Sequence, residues 1–118
     1  MATDLKRGIE RLILSFTASG AVPANRFVAF DGTLCGDGAA ALGVARDTCA
    51  DGDPGDAVVE GVMPVTCSEN ISAGAQVSSD ANGKAKNAGS GNEVLGYAYA
   101  SANSGDPVDV ILSHAGTK

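Results

Sequence analysis

Rings and positive charges are both scarce in this chain. Its 118 residues include three Phe, two Tyr and no Trp. A surface that stacks sugars or bases draws on more rings than that. Lys and Arg number eight against fourteen Asp and Glu, a formal net charge of -6. The excess is uneven. Lys6, Arg7, Arg11 and Arg26 outweigh Asp4 and Glu10 in residues 1–30, whereas residues 31–117 hold twelve acids against Arg46, Lys84 and Lys86. So acidic a body repels phosphate, and nucleic acid is not an expected partner. The acids keep a Gly/Ala-rich domain soluble. No apolar run approaches the ~20 residues of a membrane span. The start of the chain, broken by Lys6, Arg7, Glu10 and Arg11, does not read as a signal peptide. The expectation is synthesis in a cytoplasm and no membrane partner.

Groups that carry chemistry are equally few. His114 is the only histidine, and nothing in the sequence implies a partner to fix and activate its imidazole. Cys35, Cys49 and Cys67 form neither a CxxC pair nor zinc spacing, which reads as free, buried thiols. Asp47, Asp51, Asp53 and Asp56 invite a calcium reading. However, Asp51-Gly52-Asp53-Pro54-Gly55-Asp56 lacks the Glu at position twelve of an EF-hand and consists of ordinary turn formers. Gly36-Asp37-Gly38 and Gly89-Ser90-Gly91 lack the Lys-Ser/Thr ending of a phosphate loop. No Gly-x-Ser-x-Gly elbow occurs. The expectation is a protein that is not an enzyme, with no cofactor, no metal and no small-molecule substrate.

What the sequence does hold is small and apolar. Hydrophobic residues make up 44%, mostly Ala and Val, among 16 Gly. The length fits a single domain. Its parts read as an N-terminal arm and first strand over 1–19, then a β-rich body over 20–118. The arm runs through about Gly8, and the first strand covers roughly Arg11–Ala18. Further strands are expected at 26–30, 41–45, 56–62 (extended or bent through Pro64), 75–79, 94–100 and 108–112. Asp31-Gly32 suggests a type I′ hairpin, and Asn82-Gly83 a second hairpin. The core candidates are Val28, Leu42, Val44, Val58, Val62, Val77, Leu95, Tyr97, Val110 and Leu112. Short strands between frequent turns predict an all-β small barrel or sandwich.

A weak internal repeat runs through these strands. Leu42-Gly43-Val44-Ala45 matches Leu95-Gly96-Tyr97-Ala98, and Gly55-Asp56-Ala57-Val58 matches Gly105-Asp106-Pro107-Val108. Upstream, Ala24–Val28 matches Ala73–Val77. One unit has too few apolar residues for its own core, so two related β units are expected to share one. The glycine of each Leu-Gly pair suggests a bulge first, a close backbone approach second.

These motifs, in this order, resemble the capsid cement, or head decoration, proteins of tailed bacteriophages. The segments that carry the resemblance are Pro23-Ala24-Asn25-Arg26-Phe27-Val28, Leu42-Gly43-Val44-Ala45, Val58-Val59-Glu60-Gly61-Val62, Val94-Leu95-Gly96-Tyr97-Ala98 and Ser104-Gly105-Asp106-Pro107-Val108-Asp109-Val110-Ile111-Leu112. The resemblance covers about residues 20–113. It implies a non-enzymatic β protein that binds the outer surface of an assembled head and stabilises it. The implied partner is the major capsid protein, with self-association as a homotrimer. The family offers no catalytic residues to carry over. Contact with the capsid or a neighbouring subunit is expected from Leu5, Lys6, Arg7, Ile9 and Arg11. The alternative is a cytoplasmic β-rich binding module or a non-catalytic subunit of an enzyme complex.

Overall fold

The computed structural model describes residues 9–114 and 116–118. The proposed arm through Gly8 lies outside them. Among the described residues eight strands are formed: β1 Ile9–Thr17, β2 Phe27–Val28, β3 Gly43–Ala45, β4 Pro54–Thr66, β5 Gln76–Ser79, β6 Ala85–Asn87, β7 Gly96–Ala98 and β8 Pro107–Leu112. They pair antiparallel in the order β2-β3-β4-β8-β7-β5-β6, with β1 attached to β4. The Phe27 amide donates to Gly83 O at 2.8 Å, so the β5–β6 hairpin approaches β2 and nearly closes a small barrel. The all-β expectation holds.

β1 starts two residues earlier than the sequence suggests and pairs along β4 from Ile9↔Val62 to Thr17↔Pro54. β4 is a single strand of 13 residues running straight through Pro64. Pro64 lies opposite Asp109 of β8 and past Val62, the last β4 residue paired with β1, so its missing N–H breaks no described β1–β4 bond.

The hairpin expected at Asn82-Gly83 joins β5 to β6, whereas the type I′ assignment at Asp31-Gly32 needs correction. Only Gly32 and Gly83 have positive φ; Asp31 and Asn82 do not. Gly32 N donates to Ala29 O and Ala29 N to Thr33 O, closing a three-residue loop. Gly83 N to Asp80 O and Asp80 N to Lys84 O repeat that pattern. The Asp31 and Asp80 carboxylates favour it over type I′, because each accepts backbone N–H bonds inside its own loop.

The duplication is real, and backbone hydrogen bonds set its register. Val22 and Cys49 exchange bonds of 2.9 and 2.8 Å, and Ile71 and Ala102 exchange two of 2.9 Å. Asn25 N to Ala45 O (2.9 Å) recurs as Gly74 N to Ala98 O (2.8 Å), with positive φ at both Asn25 and Gly74. Gly52 N to Ala18 O recurs as Gly105 N to Cys67 O. The true counterpart of Gly105-Asp106-Pro107 is therefore Gly52-Asp53-Pro54. Gly55-Asp56, matched to it on sequence, sits three residues further on, inside β4. The first unit comprises β1, β2, β3 and the first half of β4. The second comprises the rest of β4 with β5, β6, β7 and β8. One strand thus ends one unit and begins the other.

Two apolar clusters result. The larger gathers Phe27, Val44 and Val58 from the first unit with Val65, Val77, Leu95, Val108 and Val110 from the second. The smaller holds Phe16, Val22, Val28, Ala45 and Ala57 within the first unit. Volume is traded between equivalent pairs. Phe16 faces Gly55, where a β-carbon would stand 2.8 Å from Cζ of the ring, whereas the second unit places Val65 opposite Val108. Of the predicted core, Val28, Val44, Val58, Val77, Leu95 and Val110 are buried, and Leu42, Val62 and Leu112 are half-buried. Tyr97 is an error: it is 36% exposed. Strand alternation explains this, since its neighbours Gly96 and Ala98 are the buried ones.

The Leu-Gly glycines are close-approach sites rather than bulges. No register shift falls at either. A β-carbon on Gly43 would meet Val58 O at 2.3 Å, and one on Gly96 would meet Ile111 O at 2.3 Å.

Candidate docking surface

Of the sequence-predicted contact residues, Leu5, Lys6 and Arg7 lie outside the described residues. Ile9 opens β1 and pairs with Val62. Arg11 is the unpaired extra residue where the register shifts between Glu10 and Leu12, a bulge that turns its side chain out of the ladder. There it lines a groove of about 550 Å³ with Glu60, Gly61, Val62, Ile111, Leu112, Ser113 and His114. His114 is exposed at this groove.

β1 is an edge strand, and its apolar side chains are incompletely covered. Leu12, Ile13 and Leu14 are all exposed. Edges of this kind are normally blunted or paired. Phe16 anchors the other end of the strand in the smaller cluster.

A second exposed apolar feature escaped the sequence reading. Val62, Ile111, Tyr97 and Gln76 are successive cross-strand partners on β4, β8, β7 and β5. Directly opposed residues share a face. Because Met63, Val110 and Ala98 point into the core, this row points outward. Pro64, Asp109 and Tyr99 lie beside it on the same face, and Tyr99 is 50% exposed. The signal was the alternation in Gly96–Ala98 and Val108–Leu112, which puts both tyrosines and Ile111 opposite the valines. Asp109 sits half-buried among these side chains, and burial raises its carboxyl pKa.

Of the four aspartates weighed for calcium, Asp51 and Asp53 accept turn amides and Asp56 lies in β4 beside Arg46. Asp51 Oδ1 accepts from Gly20 N, Asp53 Oδ2 accepts from Ala50 N, and Asp56 pairs with Arg46 at 3.4 Å. Cys35, Cys49 and Cys67 are free and buried. Burial raises the thiol pKa of Cys35 and Cys67, which suits core side chains rather than nucleophiles.

Comparison with known proteins agrees with this picture of a β scaffold presenting surfaces. The chain is similar in fold to the N-terminal base of the head fibre protein gp8.5 of bacteriophage phi29. The TM-score is 0.72 at 22% identity, covering 91% of this chain and 99% of that one. A comparison with curated proteins finds no match. The phage cement protein family model matches residues 6–113, from before β1 to beyond β8. The chain belongs to the phage cement protein family and is a structural protein of the phage capsid.

Proposed function

We propose that the protein binds the outer surface of the assembled head, contacts the major capsid protein there, and stiffens the shell. It acts as a homotrimer and without catalysis, after synthesis in the host cytoplasm. The observation that carries this reading is the family match over nearly the whole chain. The phi29 head-fibre base, with its similar fold, is consistent with it. The alternative of a cytoplasmic module or enzyme subunit is not favoured by these findings.

In this reading residues 1–19 form the attachment piece ahead of the body at 20–118. Leu5, Lys6, Arg7, Ile9 and Arg11 touch the capsid or a neighbouring subunit. Each exposed ion pair contributes only about 0–1 kcal/mol. Burial of Leu5 and Ile9, at roughly 25 cal/mol per Å², therefore supplies more of the affinity than the cations do.

The test is to mix purified protein with expanded empty capsids and sediment them. Co-sedimentation is expected, with a free protein of three times 11.6 kDa by light scattering. Deleting residues 2–8 leaves β1 intact and should weaken decoration. Unchanged decoration would remove the arm from the contact while leaving the cement role. A full-length protein that never co-sediments would remove the role itself.

A further inference from the structure

The two units are alike in backbone but not in what covers them. Val44 and Val58 of the first unit form an opposed pair, and both are fully buried against the second unit. Their counterparts by hydrogen-bond register are Tyr97 and Ile111, also an opposed pair, which are 36% and 42% exposed. The same backbone face is thus a core in one unit and bare in the other. In repeat architectures the uncovered face of a terminal unit carries polar capping residues. Here it carries two tyrosines and an isoleucine.

A charge is missing from the same face. Arg46 N donates to Asp56 O, and Tyr99 N donates to Asp109 O, so Asp56 and Asp109 are repeat mates. In the first unit the Arg46 guanidinium also pairs with the Asp56 carboxylate at 3.4 Å. In the second unit tyrosine replaces that arginine. Among the described residues no side chain pairs with the Asp109 carboxylate, although Asp109 is half-buried beside Tyr97, Tyr99, Ile111 and Pro64. A partly desolvated carboxylate is stabilised by a cation with matching hydrogen bonds.

We propose that the outer face of β4, β8 and β7, made by Val62, Ile111, Tyr97, Tyr99 and Asp109, is the surface that seats on the capsid shell. The shell supplies the cation that the repeat has lost: a basic side chain, arginine above all, set in an apolar surround that takes the tyrosines. This rests on the cement role. Charge favours the shell over a second copy. A twofold pairing of this face would bring like charges together at Asp109 and Glu60, and in the head-to-tail contacts of a trimer Arg46 could not serve, being already engaged by Glu10 and Asp56. The face is also continuous with the proposed attachment piece, because β1 begins where Ile9 pairs with Val62.

The test uses full-length protein and expanded capsids lacking it. The double variant Tyr97→Ser/Ile111→Ser should lower capsid affinity at least about tenfold, as expected for interface anchors. Asp109→Asn should weaken binding and flatten its salt dependence, and Asp109→Arg should weaken it further. Phe30→Ser, at a 70% exposed position in the 29–33 hairpin, should bind as wild type. Double-variant and Asp109 variants that all decorate like wild type would overturn the proposal. So would variants that change the mass of the free oligomer while capsid binding persists, because a second copy would then cover the face. If the double variant melts well below wild type, hydrogen exchange on bound wild-type protein decides. Protection should appear at residues 96–98 and 107–112, and none there would overturn the proposal. Wild-type protein that fails to bind would instead strike the cement role itself.

Discussion

A β-carbon added to Gly43 would stand 2.3 Å from the carbonyl oxygen of Val58. That oxygen is backbone, so no side-chain rotation relieves the contact. Gly96 and the carbonyl of Ile111 repeat the arrangement. Gly43→Ala and Gly96→Ala should each cost about 2–4 kcal/mol, in the range of severe overpacking. Gly36→Ala is the control, since a β-carbon there meets only the Ala39 side chain, at 4.0 Å, and its φ is not positive. It should be neutral or stabilise by up to ~1 kcal/mol through the unfolded chain. Urea unfolding of the three variants gives the comparison.

The unequal burial of the repeat mates predicts unequal stability effects. Val58→Ala removes two buried methyl groups from a fully enclosed site and should cost roughly 2 kcal/mol. Ile111→Ser, on the bare face, should change stability by less than about 1 kcal/mol. Leu95→Ala, in the shared core, should cost about 2–5 kcal/mol. Equal effects at positions 58 and 111 would mean that the outer face is covered within the chain.

Asp109 should make the isolated protein less stable when ionised. Its folded pKa is raised, with burial as the cause. A carboxyl of that kind binds its proton more tightly folded than unfolded. The folded state therefore gains stability as pH falls from the raised value toward the ordinary 3.8, and loses it again as pH rises. Asp109→Asn should accordingly raise the melting temperature slightly at neutral pH and flatten this part of the pH profile. Asp31 works in the opposite sense. The hydrogen bond from the Thr33 hydroxyl, aided by the Thr33 amide, lowers its pKa. Its contribution is present above 3.8 and disappears as pH falls through the lowered value. Thr33→Val should remove much of that acid sensitivity.

Thiol chemistry should report unfolding. Cys35 and Cys67 are enclosed and their pKa values are raised by burial. Cys35 Sγ donates to Ala39 O at 3.4 Å. Alkylation of both at pH 8 should track global unfolding rather than local opening. Fast labelling of native protein, measured by mass spectrometry, would show that the barrel breathes at its core.

The alternation of apolar residues in Val108–Leu112 and the Gly-Asp turns made the β class and most strands legible from residues alone. The repeat was visible too, and so was its register: Gly52-Asp53-Pro54 repeats Gly105-Asp106-Pro107 letter for letter, whereas the Gly55-Asp56 match lacks the proline. The bond from Gly52 N to Ala18 O, mate of the bond from Gly105 N to Cys67 O, fixes that register in the fold. Tyr97 was misplaced for another reason. Its counterpart Val44 is buried, and nothing local to Leu-Gly-Tyr-Ala says that this face has lost its cover. Cover is a property of the neighbouring unit; the strands show by alternation only that Tyr97 and Ile111 lie on the face opposite Ala98 and Val110. Leu5, Lys6 and Arg7 stand out in the sequence by charge and apolar character. The outer tyrosines stand out only by strand parity, because their residue type alone suits a core position.

β4 belongs to both halves of the barrel, and this bears on how the chain comes into being. A nascent chain that has not yet delivered residues 54–62 offers β1 and β3 no strand to pair with. Once those residues arrive, the next ones already form the opening edge of the second half, which waits for residues 107–111 to be covered. Neither half has a finishing line of its own. The closing pairings span much of the chain, so the predicted course is slow, late consolidation in which the last strand completes the whole. A nick after Gly61 should therefore leave two fragments that are unfolded alone and that reassemble when mixed.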